Sequence, residues 1–331
     1  MTLLVSPPPA GAGPQTLEDV PIVLTPGKAR ADRIFFGVLL VASTIVLLAI
    51  GGIVWFLFNH SLPALRYAGT TIITSDHWAA TGTHPKFGML GVLLGTVMIA
   101  GLALLVALPV SLAAGLAINE YAPRWARRWL TALVDLLAVV PSLIYGLWGL
   151  KVLSPESAGV SIWLSHHASF IPFFREPDTT YGESIFLCGL VVGIMIIPIV
   201  TSVSREVMSQ APREACEGAL ALGGTKWGMV TDVILPFARN GILGGVLLGL
   251  GRALGETVAV LLILSQTNTI HWNILGPGGG QIPALIANLF FSLPPLGKSA
   301  LTLAGLLLFV TILGINVAAR RVVGRPQVRI T

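Results

Sequence analysis

Residues 213–260 read REACEGALALGGTKWGMVTDVILPFARNGILGGVLLGLGRALGETVAV, and this stretch decides the fold. Its first part, to Arg239, is polar and rich in helix-forming residues. The remainder is apolar and carries one arginine and one glutamate. Gly241, Gly245, Gly249, Arg252 and Glu256 follow spacings of four, four, three and four. At about 100° per residue these positions share one face of a continuous helix. Glycines on that face let a neighbouring backbone approach closely. A charged arginine in mid-membrane costs roughly 2.5–3.5 kcal/mol on insertion scales, so Arg252 is expected to face protein or water. It lies about ten residues into the span, roughly 15 Å at 1.5 Å per residue, near the bilayer centre. Glu256 is its i+4 neighbour and is placed to pair with it. Two readings of the pair stand: a structural ion pair that locks two helices, or an anion site on a transport path. A guanidinium fork suits a tetrahedral oxyanion such as phosphate or sulfate. A paired Glu256 would orient that fork or accept a proton carried by the substrate.

Composition sets the class. Mean hydropathy is +0.83, 54% of residues are hydrophobic and only 11% are charged, which describes an all-α integral membrane protein. The apolar segments are far longer than transmembrane strands, so a β-barrel is excluded. The net charge of +5 does not signal nucleic acid, because the basic residues cluster at span ends. Cys188 falls in a span and Cys216 in the polar loop, so no disulfide framework is implied.

Six apolar spans are expected, at about 34–58, 88–118, 130–150, 184–204, 242–265 and 299–319. Residues 1–30, rich in Pro, Gly and Ala without an apolar core, read as a disordered cytoplasmic tail rather than a signal peptide. Residues 31–325 form the membrane domain, and 326–331 a cytoplasmic C-terminal end. Most Lys and Arg residues fall on one side: Lys28, Arg30 and Arg33, then Arg124, Arg127 and Arg128, then Arg205, Arg213, Lys226 and Arg239, then Arg320, Arg321, Arg325 and Arg329. That bias places both termini and the 205–241 loop in the cytoplasm. The outer loops are 59–87, 151–183 and 266–298. The last holds Gly-Pro-Gly-Gly-Gly at 276–280, followed by QIPALIANLFFSL, which suits a short amphipathic helix in the outer interface. All six histidines fall in these outer loops without metal-ligand spacing.

Pro109, Pro141 and Pro198 interrupt three spans. Each removes a backbone donor; the bland reading is a kink, the functional one a cavity lining. After Pro141 come Ser142, a candidate pathway hydroxyl, and Tyr145. Between Pro212 and Pro236 the loop is broken by Gly223 and Gly224, which predicts helix, sharp turn, helix: a projection that a soluble partner can grip.

Here the residues carry a resemblance. Glu217-Gly218-Ala219, then Gly223, then Val233-Ile234-Leu235-Pro236 resembles the EAA loop of bacterial ABC importer permeases, with Gly218 standing for Ala and Val233 for Ile. Within that superfamily SREVM (204–208), GLGRALGETVAV (249–260) and PSLIYGLWGL (141–150) resemble the PstC-type permease subunits of phosphate-specific importers, over the companion PstA type. The resemblance spans about residues 34–320. It implies a six-helix type I ABC importer permease fold with a cytoplasmic coupling helix. Glu217, Gly218, Ala219, Gly223, Leu235 and Pro236 would engage a homodimeric ATPase of the PstB type. Arg252 and Glu256 would be required for phosphate passage. A PstA-like second permease would complete the path, and a PstS-like extracytoplasmic phosphate-binding protein would deliver substrate at a bacterial cytoplasmic membrane.

No cofactor is expected in this chain, since ATP and Mg would sit on the ATPase. A P-loop needs G-x-x-x-x-G-K-[ST], and the only Gly-Lys-Ser, at 297–299, has Ser292 where the first glycine belongs. The chain is therefore expected to be non-catalytic. Rival readings are a permease for sulfate or molybdate, an ion-coupled secondary transporter, which would show internal repeats, and a membrane-embedded enzyme, for which no catalytic constellation is evident.

Overall fold

A computed structural model describes residues 30–80, 84–175 and 182–323. The expected N-terminal tail, apart from Arg30, and the expected C-terminal end lie outside the described residues. The helices in chain order are α1 (Arg30–Ala68), α2 (Thr71–Thr74), α3 (Leu90–Leu116), α4 (Arg124–Val139), α5 (Ser142–Trp148), α6 (Ser154–His167), α7 (Ile185–Ser209), α8 (Arg213–Ala221), α9 (Lys226–Met229), α10 (Leu235–Leu254), α11 (Val258–Ile263), α12 (Ile282–Leu289) and α13 (Pro295–Val323). A two-stranded antiparallel hairpin, β1 (Trp78–Ala79) and β2 (Lys86–Phe87), lies between α2 and α3. The chain divides into two units, Met1–Ile53 and Val54–Thr331. The described part of the first is the opening stretch of α1, with Asp32 in its first turn and an apolar run behind it.

In the second unit the core is a three-helix contact. Every fourth residue of α3, from Gly91 through Gly95, Ile99, Ala103, Ala107 and Ser111 to Gly115, is buried. A stripe of mostly small side chains lets another backbone close in, and α7 fills that place. Gly189 lies against Leu102, Gly193 against Ala103, and Gly115 against Arg205, so α3 and α7 run parallel. Ser111 Oγ donates to the Ile197 carbonyl at 3.1 Å across the same contact. Against the other side of α7, Gly241 meets Val207, Gly245 meets Val203 and Gly249 meets Val200, in antiparallel order. The expected glycine face is therefore present, and its partner is α7.

Parallel α3 and α7 require the intervening chain to return from one end of the bundle to the other. It does so once, through a broken unit: Arg124–Val139 and Ser142–His167 meet at 90°. With five continuous apolar helices this gives up to six crossings among the described residues. Two expected boundaries are corrected. The third span is not one helix over 130–150 but a bent pair, and the helix beyond the bend takes up residues to His167 that read as outer loop. The fifth is not continuous to 265. It starts at Lys226, runs to Leu254 and then breaks. Pro109 and Pro198 are accommodated inside continuous helices.

The segment before α12 is not a solvated loop. Gly280 packs against Val92 and Gly95, and backbone bridges join Ser184 to Pro277 and Gly278, and Gln266 to Gly279. The short helix expected within QIPALIANLFFSL forms, but Ile282, Ala284 and Leu285 are buried against protein. Ser299 of the Gly-Lys-Ser triplet is also buried. Its Oγ donates to the His60 carbonyl at 2.6 Å and accepts from the Ala64 amide at 3.1 Å, tying α13 to the end of α1. That triplet is a helix-packing joint.

Candidate functional site

Two helix breaks lie side by side. The first follows from Pro141: a residue before proline is driven out of the α region, and Val140 has ψ 127 and Pro141 ψ 139. The helix then restarts at Ser142. The second break follows Leu254. Gly255 ends α10, and the half-turn after it is closed by Glu256, whose Oε1 accepts from the Ala259 amide at 3.0 Å. A side-chain oxygen that takes an orphan amide of the first turn is a capping interaction, so Glu256 starts α11. The two restarted helices pack on each other at Gly146, where a Cβ would stand 2.9 Å from Ala259 Cα. Tyr145 Oη donates to the Leu137 carbonyl at 2.9 Å and pins the two arms of the first bend together.

Depth comes from packing. Gly249 touches Val200 and Ile196, near the middle of the 25-residue helix α7, and Arg252 lies within one turn of it. Arg252 is thus placed level with the middle of α7. It is exposed, and Tyr145, in the first turn after Ser142, packs in the same buried cluster as Ala253 and Leu254, the residues that follow Arg252. Ser142 is half-buried at the start of that helix.

The expected Arg252–Glu256 pair does not form. Among the described residues the ion pair found is Asp76 with His77, and Glu256 is buried with its carboxylate turned to the α11 backbone. The i+4 argument fails because the helix ends between the two residues. The packed stripe continues from Gly249 to Ala253, which is buried, leaving Arg252 on the adjoining exposed face. Glu256 therefore orients α11 and does not orient the guanidinium. Tyr145, read from sequence only as a neighbour of Pro141, joins the site. The signals that mark the second break are Gly255 followed by an acidic capping side chain, a stop-and-start pattern that the facial periodicity overrides on paper.

The second group of sequence-selected residues sits at the arginine-rich end. The helix–turn–helix is present: α8, then a turn with Gly223 at φ +86, then a helix begun by Thr225, whose Oγ1 accepts from the Gly228 amide at 3.0 Å. A φ of that sign favours glycine because a Cβ would collide with the next carbonyl. Glu217 is exposed, a side chain on Gly218 would meet open space, and Ala219 is half-buried under the helix. Leu235 packs in the small core beneath α8, and Pro236 is exposed. Pro236 does not end the helix. A wide π-helical turn over Val230–Ile234 precedes it, which absorbs the missing proline donor.

Cationic side chains meet the end of α3 here. Arg127 donates to the Asn119 carbonyl and Lys226 to the Glu120 carbonyl, while Asn119 Nδ2 donates to the Arg205 carbonyl at 2.7 Å. Cations at a helix C-terminus complement its dipole. Beside them is a cavity of ≈ 680 Å³, with Cys216 and Glu217 in its lining. Burial pushes the Cys216 thiol pKa up, and Glu120 and Glu217 add to the shift. Among the described residues no group of His, Cys, Asp and Glu is arranged to hold a metal ion.

Residues 107–326 match the family described as binding-protein-dependent transport system inner membrane component. A protein named phosphate transport system permease protein PstC 2 from Mycobacterium tuberculosis is 38% identical over 300 residues, covering 89% of this chain and 92% of its own. The PstC protein of Xylella fastidiosa is 37% identical over 306 residues, covering 89% and 93%. That of Haemophilus influenzae is 34% identical over 300 residues, covering 87% and 89%. Among solved structures, a bacterial ABC transporter involved in the import of the acidic polysaccharide alginate aligns with 88% of this chain and 99% of its own, at 19% identity and a TM-score of 0.50. That likeness bears on fold alone.

Proposed function

Since the chain belongs to the binding-protein-dependent transport inner membrane component family, we propose that it is the permease subunit of an ATP-driven phosphate importer. The observation that carries the anion path is Arg252: a permanent charge at mid-depth, exposed, with no acidic partner within reach among the described residues, beside two helix breaks. A buried-depth cation left without an internal counterion is stabilised by an anion that visits it. Phosphate as the substrate is supported by the printed names of the relatives.

The subunit is non-catalytic and holds no cofactor. ATP and Mg act on a separate homodimeric ATPase, gripped by α8 with Glu217, Gly218 and Ala219 at the contact and Gly223 setting the turn. A second permease completes the path, and an extracytoplasmic binding protein delivers phosphate. Both termini lie in the cytoplasm. Closure of the ATPase moves α8, and the helix from Lys226 to Leu254 carries that movement to Arg252 because it is unbroken over this length. Ser142 lends a hydroxyl to the passing anion.

The test is phosphate uptake in cells lacking a high-affinity system, with the neighbouring permease, ATPase and binding-protein genes co-expressed. Wild type restores uptake, and Arg252→Gln inserts but does not transport. Normal uptake by the variant removes Arg252 from the path, and uptake of sulfate or molybdate in place of phosphate replaces the substrate.

A further inference from the structure

The face of α10 that carries Arg252 continues toward the arginine-rich end. Leu248, Gly244 and Asn240 follow at steps of four, all exposed, so they share that face. There α10 and α13 border a groove of ≈ 620 Å³, lined by Asn240, Gly244 and Leu248 on one side and Leu313, Asn316 and Arg320 on the other. A Cβ on Gly244 would meet nothing within 4 Å, so the floor is open. The upper walls are apolar, and the mouth presents two carboxamides and a guanidinium. Among the described residues none of these three polar groups has an ion-pair or hydrogen-bond partner in the chain.

We propose that this groove is the release stretch of the anion path, with Arg320 as a second, weaker phosphate site below Arg252 and Asn240 and Asn316 replacing part of the anion's hydration. The proposal rests on the phosphate-permease reading. Arg320 lies in the last turn of α13, so the negative end of that helix dipole opposes the anion it attracts. A guanidinium weakened in that way suits release. The same phosphate-binding chemistry would serve an anionic lipid headgroup. Free phosphate is favoured because the groove continues the Arg252 face, and because an acyl chain has no use for two carboxamides at the mouth.

The experiment uses inside-out vesicles holding the full assembly with Cys216→Ser, after phosphate uptake by this background is measured. Asn240→Cys is added, and its thiol is titrated with membrane-impermeant sulfonate-bearing and ammonium-bearing thiosulfonates. The sulfonate reagent is expected to react about fivefold faster with Arg320 present than with Arg320→Gln, the ammonium reagent no faster. Inorganic phosphate is expected to slow the sulfonate reaction. Arg320→Gln lowers uptake several-fold and Arg320→Lys restores most of it.

A thiol that neither reagent reaches means a dry groove covered by lipid or protein, and overturns the proposal. So does a labelling rate indifferent to Arg320, or one that changes when phosphatidylglycerol is replaced by phosphatidylcholine. Protection by sulfate instead of phosphate, with sulfate uptake by the background, supports the release stretch and overturns only the substrate of the parent reading.

Discussion

Gly146→Ala tests the geometry on which the site depends. The added Cβ would stand 2.9 Å from Ala259 Cα, 3.0 Å from Leu262 Cδ1 and 3.4 Å from the Ala259 carbonyl oxygen. Two of the three neighbours are backbone atoms, which cannot rotate away. Ordinary carbon contacts begin near 3.5 Å, so α5 and α11 must part by about half an ångström or more. Overpacking of this kind costs about 1–3 kcal/mol. Separation also shifts Glu256, which caps α11, and with it the break that sets the position of Arg252. The control is Gly101→Ala in α3, where a Cβ meets nothing within 4 Å and helix propensity favours alanine by up to about 1 kcal/mol. The assay is the thermal midpoint of the purified assembly together with phosphate uptake at equal membrane content. Gly146→Ala should lower both, whereas Gly101→Ala should hold or raise the midpoint and keep uptake. Equal midpoints and equal uptake in the two variants would refute the close approach of the restarted helices.

Three further outcomes follow from particular contacts. Glu256→Gln keeps an oxygen for the Ala259 amide and should transport nearly as well as wild type, whereas Glu256→Ala loses the cap, about 1 kcal/mol, and most uptake; equal loss in both would show that the charge matters and not the cap. Gly223→Ala puts a side chain at φ +86 that meets nothing beyond its own chain neighbours, so a purely local backbone cost of about 1–2 kcal/mol should appear as weaker retention of the ATPase on affinity-tagged permease. The Cys216 thiol, with its pKa raised by burial and by Glu120 and Glu217, has a reduced thiolate fraction near neutral pH; maleimide labelling should be slow there, rise as pH is raised past the usual thiol range, and speed up in Glu217→Gln because a neighbouring negative charge is gone. Unchanged labelling in Glu217→Gln would remove that carboxylate from the thiol's surroundings.

Sequence alone determined the membrane class, the presence of several apolar helices long enough to cross, the glycine face of α10 and the helix–turn–helix around Gly223. Each of these is written in local chemistry: apolar run length, small residues at every fourth position, and a glycine where the backbone needs positive φ. Sequence misplaced what depends on where a helix stops. The i+4 relation of Arg252 and Glu256 holds only on an unbroken helix, and whether Gly255 interrupts α10 is decided by a tertiary exchange. The break leaves amides unpaired, the Glu256 carboxylate takes one, and the space is filled by α5 closing on α11 at Gly146. The bend at Pro141 was legible as a lost donor, but its 90° angle belongs to the folded chain, where Tyr145 Oη holds the two arms together through the Leu137 carbonyl. The juxtaposition of both breaks beside an unpaired guanidinium brings together residues more than a hundred positions apart, and only packing across the bundle could make them neighbours.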